Sequence, residues 1–323
     1  MCALFGWLDY KHIIPYKVLR KLTQALANAA EERGTDASGI SYIRDGKVVI
    51  FKRPKPAHKI HFNIPDSTTA IMGHTRLTTQ GNQKFNQNNH PFLGRADKSF
   101  SFAHNGVLYK DVELRKTKNL PTTNIETDSY IAVQLIEQQK KLDFNSLKNM
   151  AEAVQGNFTF TVLDEDNSMY IIKGSNSMCL LHFEMLGLYI YASTETIMKN
   201  ALKKVCMQNF PCTKIETVHG DIIRIDSKGF ITCSKFEKKE DFKYASFMRY
   251  YDDWEEEYYT QHEQLLLEMC NCYGVNEDDV MMLLDYGYSA DEIEDMICDY
   301  SLITDTIRAV KGGEEYEDFL YEI

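Results

Sequence analysis

The sequence predicts an antiparallel α+β layered domain followed by a small all-helical module. Segments with strand character come in groups, as do those with helical spacing, whereas a doubly wound parallel sheet would alternate them singly. From Tyr250 onward only helical patterns occur. The charge divides at the same place. The chain carries −11 overall, but residues 250–323 hold 22 acidic and 2 basic side chains, so a tail of −20 follows a body of +9. We therefore expect one domain over 2–240 and an acidic helical extension over 250–323, with no binding of nucleic acid or anionic lipid by that tail.

At 323 residues, 44% hydrophobic and 26% charged, the chain can bury a sizeable core. It lacks an apolar run of about 18 residues and a basic N-terminal region before an apolar stretch, so neither a membrane span nor a signal peptide is expected. A cytoplasmic location follows as an expectation. The eight cysteines form no CxxC pair and are expected to be reduced. Cys270 and Cys272, with His262 and Cys298 nearby, match no usual zinc spacing and read as small buried apolar residues.

In chain order, the apolar opening Ala3 to Leu8 reads as a strand, and Val18, Leu19, Leu22, Leu26 and Ala29/Ala30 recur at helical spacing over Tyr16 to Arg33, with Pro15 suiting a helix start. Strands 40–43 and 47–52 flank Asp45-Gly46 as a hairpin. A Pro- and Lys-rich loop over 53–66 leads to a strand at 69–76, and a polar loop over 78–89 precedes His90-Pro91-Phe92. Next comes a strand over 100–104 that ends in Asn105-Gly106. Helices are expected from Thr127-Asp128-Ser129 to about Gln139, over 145–154 and over about 194–207. Strands are expected at 156–164, 168–173, 178–183, 187–192, 221–225 and 229–233. In the tail, Tyr273-Gly274 and Tyr286-Gly287 separate apolar helical faces, and Ser289 with Asp291 and Glu292 looks like a capped helix start.

Cys2 raises the question of function. Loss of Met1, which a small second residue permits, would leave one residue with a thiol and a free α-amine that titrates at roughly 7.7–8.0, a nucleophile and a base together. Alone, a cysteine near a start codon means little. Here Cys2-Ala3-Leu4-Phe5-Gly6 is followed by Arg33-Gly34-Thr35-Asp36-Ala37-Ser38-Gly39, Gly73-His74-Thr75-Arg76, His90-Pro91, His104-Asn105-Gly106 and Thr127-Asp128-Ser129. In order and spacing these six motifs resemble the class II glutamine amidotransferase domains, which are N-terminal-nucleophile hydrolases. A weaker likeness, Tyr191-Ala192-Ser193 and Gly220-Asp221-Ile222, continues to about residue 235.

The resemblance implies a four-layer αββα sandwich of two antiparallel sheets. It also implies hydrolysis of the glutamine side-chain amide through a γ-glutamyl thioester on Cys2. Asn105 and Gly106 would then supply the oxyanion donors, Arg76 a clamp for the α-carboxylate and Asp128 one for the α-ammonium. Leu77 and Thr79 would lie in the loop that covers the substrate. Taken alone, Asn105-Gly106 would read as a hairpin turn, Arg76 as a surface arginine and Asp128 as a helix N-cap. The resemblance implies no metal and no cofactor, so His74, His90 and His104 are expected to be structural or loop-ordering, with Arg33, Asp36 and Gly39 shaping the loop beside Cys2. Leu77 and Gln80 depart from the sugar-synthase branch, which has an aromatic and a histidine there.

No pyrophosphatase loop, ribosyl-phosphate signature or pair of sugar isomerase domains is found. The expected partners are therefore glutamine and either none for the ammonia or a separate ammonia-accepting synthase subunit, with the tail available to a binding protein. Two other readings stay open: a hydrolase of another γ-glutamyl amide, and a non-catalytic binding or regulatory protein on the same scaffold.

Overall fold

A computed structural model of the chain describes residues 2–237, 266, 275–297 and 300–312. Contacts divide it into two compact units, Met1–Lys239 and Glu240–Ile323.

The first unit holds two sheets whose strand pairs are all antiparallel. The larger contains β1 (Ala3–Asp9), β2 (Ala37–Arg44), β3 (Lys47–Arg53), β4 (Ala70–Arg76), β9 (Cys179–Phe183), β10 (Leu188–Ala192) and β11 (Thr213–Ile215), in the order β11-β9-β10-β1-β4-β2-β3. The smaller contains β5 (Phe92–Arg95), β6 (Ser99–Tyr109), β7 (Gln155–Asp164), β8 (Met169–Lys173), β12 (Asp221–Ile225) and β13 (Ile231–Lys235), in the order β13-β12-β8-β7-β6-β5. The helices are α1 (Tyr16–Ala29), α2 (Asp111–Thr117), α3 (Tyr130–Gln138), α4 (Phe144–Ala153) and α5 (Glu195–Lys204).

Side-chain alternation along the strands explains the layering, because successive residues of a strand face opposite sides. Ala3, Phe5 and Trp7 of β1 pack with Leu19, Leu22 and Leu26 of α1 and Ile197, Met198 and Ala201 of α5. Leu4 and Leu8, one step out of phase, pack with Met72 of β4 and with Ala103, Leu163, Ile171 and Ile223 of the smaller sheet. On that sheet's other face, Phe92, Phe102 and Phe160 meet Ile131 and Leu135 of α3 and Leu147 and Met150 of α4. Three cores thus separate four layers, α, β, β and α. Each large apolar side chain fully buried in them contributes about 1.5–3 kcal/mol. Trp7 also satisfies its one donor, giving Nε1–H to Thr23 Oγ1 at 2.9 Å.

The structure departs from the sequence expectations in places. The helix expected to Arg33 ends at Ala29 and tightens into a 3₁₀ turn over Ala30–Arg33. The strand expected to stop at Asn105-Gly106 runs on to Tyr109, with Gly106 opposite Phe158 of β7. The pair is therefore no turn. Gly106 has φ +139°, and a Cβ there would lie 1.9 Å from Asn157 O, so only glycine fits. Three short elements carried no pattern long enough to read: β5 has four residues, β11 three, and α2 buries no side chain.

In the second unit α6 (Glu277–Tyr286), α7 (Ala290–Ile297) and α8 (Tyr300–Gly312) share a core of Val280, Leu283, Ile293, Ile297 and Ile303. Ser289 Oγ accepts from Glu292 N, and Glu292 accepts from Ser289 N at 2.8 Å, so the expected cap is formed. His262, Cys270, Cys272 and Cys298 lie outside the described residues. Among the described residues no helix is long and apolar enough to cross a membrane.

Substituting Leu4→Ala, in the core between the sheets, should lower unfolding stability by about 2–5 kcal/mol. Phe230→Ala, at a residue that is 66% exposed, should change it by no more than about 0.5 kcal/mol. Urea denaturation followed by circular dichroism checks both.

Candidate active site

Register places the first residues. Ala3 of β1 pairs with Thr75 of β4, so the next step toward the strand end sets Cys2 across from Arg76. On the other edge Phe5 pairs with Ala192 of β10, and the ladder continues as Ser193 N donates to Leu4 O at 2.9 Å. Arg76 is in turn opposite Ala37 of β2. Cys2, Arg76 and Ser193 are thus gathered at one end of the larger sheet by hydrogen-bonded strands.

Cys2 is 9% exposed. Its thiol donates to Leu77 O, with Sγ and O 3.4 Å apart, and its carbonyl accepts from Arg33 Nε at 3.1 Å. Burial pushes the thiol pKa above its ordinary value, and the Arg76 guanidinium pulls the other way. A thiol held in this way rests protonated at neutral pH and needs a base to become a nucleophile.

Arg76 is buried, so it is no surface arginine. Its guanidinium donates from Nη1 to Asn89 Oδ1 at 2.7 Å and from Nη2 to Gln80 O and Gly81 O. It stands in the field of Asp128, Asp36 and Glu126 as well as Cys2. Asp128, also buried, does not cap a helix. Its Oδ2 accepts from Leu108 N at 2.6 Å, which ties it to the strand that carries Asn105 and Gly106, and its Oδ1 accepts from Ser129 Oγ at 3.2 Å. Asn105 is fully buried, its carbonyl accepting from Asn176 Nδ2 at 2.8 Å and its Nδ2 lying 3.5 Å from Ser193 Oγ. That contact carries the Asn105 side chain from the smaller sheet to the end of the larger one, beside β1. Leu77 and Thr79 sit exposed on the loop after β4.

That loop is held by side chains that motif reading did not single out. Glu126 Oε2 accepts from Asn88 Nδ2 at 2.7 Å and from Asn82 N at 3.1 Å, while Glu126 N donates to Asn88 Oδ1 at 2.9 Å. Gln80 Nε2 donates to Glu126 O at 3.1 Å, so the glutamine that departs from the sugar-synthase pattern has a specific partner here. Thr78 N donates to Asp36 Oδ2 at 2.7 Å, which gives Asp36 its loop-shaping part. The one sequence signal for this clasp was the pair Asn88-Asn89 ahead of His90-Pro91.

Near Arg76 and Asp128 lie three buried imidazoles. His74 donates Nε2–H to His104 O at 2.9 Å and packs against His90 with ring centroids 4.2 Å apart and planes tilted by 31°. His104 Nδ1 lies 2.8 Å from Ser129 Oγ and its Nε2 3.5 Å from Asn157 O, so both ring nitrogens face a polar neighbour. Burial drives the pKa of His74 down to about 3 and that of His90 well below its ordinary value. Burial also lowers His104, against the Asp128 charge. Among the described residues no group of three or more His, Cys, Asp or Glu side chains could hold a metal ion.

The arrangement offers a thiol, an amide donor, a cation and an anion at one end of a buried strand. Residues 74–198 match the family model described as the glutamine amidotransferase domain, a span that contains Arg76, Asn105, Gly106 and Asp128. The chain is 30% identical over 191 residues to the glutamine–fructose-6-phosphate aminotransferase of Lactococcus lactis, which covers 56% of this chain and 30% of that one. It is 28% identical over 184 residues to the 7-cyano-7-deazaguanine synthase of Saccharolobus solfataricus, covering 54% of this chain and 39% of that one. The chain thus spans well under half the length of these relatives. The solved glutamine phosphoribosylpyrophosphate amidotransferase from B. subtilis shares the fold, with a TM-score of 0.56 and 19% identity over 74% of this chain and 50% of that one.

Two outcomes follow from the geometry. Because the imidazoles are neutral when folded, the unfolded chain binds more protons between about pH 6.5 and pH 3, so stability is full above that window and falls as pH drops through it. His74→Asn should flatten this slope, read as urea midpoints at about pH 7.5 and pH 5. Glu126→Ala should leave the fold intact but release the loop over 77–89, measured as several-fold faster limited proteolysis within it.

Proposed function

The chain carries a glutamine amidotransferase domain of the class II, N-terminal-nucleophile type, and we propose that it hydrolyses the side-chain amide of glutamine to glutamate and ammonia. With Met1 removed, the α-amine of Cys2 takes the thiol proton and the sulfur attacks the amide carbon. The carbonyl electrons move onto oxygen, where the Asn105 carboxamide and the Gly106 N–H donate hydrogen bonds. The α-ammonium returns its proton to the amide nitrogen as the intermediate collapses, so that the C–N bond breaks and the nitrogen leaves as ammonia. A γ-glutamyl thioester on Cys2 remains, and water, deprotonated by the same amine, hydrolyses it.

Arg76 holds the substrate α-carboxylate and Asp128 its α-ammonium, while Leu77 and Thr79 cover the site. Arginine suits this task because its planar fork matches a carboxylate. The reaction calls for no metal or cofactor. Its ammonia is released or passed to a separate acceptor protein.

The observation that carries the reading is the gathering of Cys2, Arg76 and Asp128 from separate segments of the chain: Cys2 lies across from Arg76, and the Asp128 charge acts on both.

Purified protein should release ammonia and glutamate from glutamine in equal amounts, and Cys2→Ala should lower the rate roughly 10³-fold or more. Equal rates for both proteins contradict the proposal. Release of ammonia from other γ-glutamyl amides but not from glutamine would move the substrate, not the mechanism.

A further inference from the structure

Asn105 has an unresolved hydrogen-bond balance. Its side chain is fully buried, its Nδ2 lies 3.5 Å from Ser193 Oγ, and its Oδ1 meets no partner. Ser193, equally buried, accepts a 2.8 Å hydrogen bond from Leu4 N at its Oγ. That bond engages a lone pair and leaves the hydroxyl proton to be given elsewhere.

The two ends of a carboxamide have the same shape, so its orientation follows from the network around it. With Nδ2 toward Ser193, a hydroxyl proton and an amide oxygen are both stranded, and an anionic oxygen can satisfy neither the acceptor nor a proton aimed away from it. With the amide turned over, Ser193 donates to Oδ1 and the two N–H bonds of Nδ2 occupy the place of the orphaned oxygen. Only donors are then left over, and donors are what a developing oxyanion requires.

We propose that Ser193 is a positioning residue that fixes the Asn105 carboxamide with its NH₂ group turned toward the oxyanion. This rests on the glutaminase reading above. Ser193 is suited to the part because backbone and side chain both bond to Leu4, two residues from Cys2. The donor and the nucleophile are thereby referred to the same strand. It touches no reacting atom and acts through Asn105 alone.

Ser193→Ala is expected to lower kcat for glutamine tenfold or more with KM changed less than about twofold, because the interaction is made only in the transition state. In an Asn105→Ala background the same substitution should cost nothing further, since its route to the reaction is already gone. Alkylation of Cys2 by iodoacetamide, which builds no oxyanion, should proceed at the wild-type rate. If the alanine variant does not fold, Ser193→Cys, nearly isosteric but a poor donor, should show the same loss in kcat. Wild-type kcat in the variant, additive losses in the double variant, or a parallel fall in alkylation would each overturn the inference while leaving the glutaminase reading intact. A wild-type protein that releases no ammonia from glutamine would overturn both.

Discussion

Strand β1 is buried on both faces and hydrogen-bonded along both edges, and the rest of the site takes its place from that constraint. Its alternate side chains close two different cores, so a slip of one residue would turn Leu4 and Leu8 toward the helices and Phe5 and Trp7 into the space between sheets. Neither core has room for the exchange. Gly6 marks how close the neighbours come, since a Cβ there would stand 2.4 Å from Ile71 O. Cys2 therefore has one position, across from Arg76 and two residues from the Leu4–Ser193 pair, held by packing far larger than the site itself.

What β1 fixes at one side, the smaller sheet must meet from the other. It does so with Asn105 on β6 and with Asp128, which a bond to Leu108 N ties to the same strand. The polar layer at this junction is dense with hydrogen bonds because unsatisfied groups are costly where water is scarce. The imidazoles serve in that setting as neutral spacers. His74 donates to His104 O, His104 is flanked by Ser129 Oγ and Asn157 O, and His90 lies between His74 and Phe92 with its ring tilted to both. Over this layer the loop after Arg76 is clasped by Asn88 and Glu126, so one arginine links the strand end opposite Cys2 to that loop.

The alternation of Ala3 to Asp9 and the spacing of Leu19, Leu22 and Leu26 made the layers legible, because burial on a regular element writes a period into the sequence. Arg76 and Asp128 stood out in the sequence because they fall in the Gly73–Arg76 and Thr127–Ser129 motifs, and the structure buries both. Asn105-Gly106 was recognised as a donor pair but misplaced at a strand end, since glycine at a strand interior and glycine at a turn look alike until the partner strand is known. Glu126, Asn88 and Ser193 were not legible as site residues. Each acts through side-chain contacts with segments 38 or more positions away, and such contacts leave no periodic trace. Gln80 illustrates the same limit from the other direction: a departure from a family pattern became intelligible only with its bond to Glu126 O.

The central claim is that Cys2 is a free N-terminal residue and the group that reacts with glutamine. Intact mass spectrometry of the purified protein, before and after treatment with a diazoketone analogue of glutamine, tests it most directly. The account predicts a chain that lacks Met1 and takes up a single adduct on Cys2, with glutamine slowing the labelling. A chain that keeps Met1, or an adduct carried by any other cysteine, would contradict it.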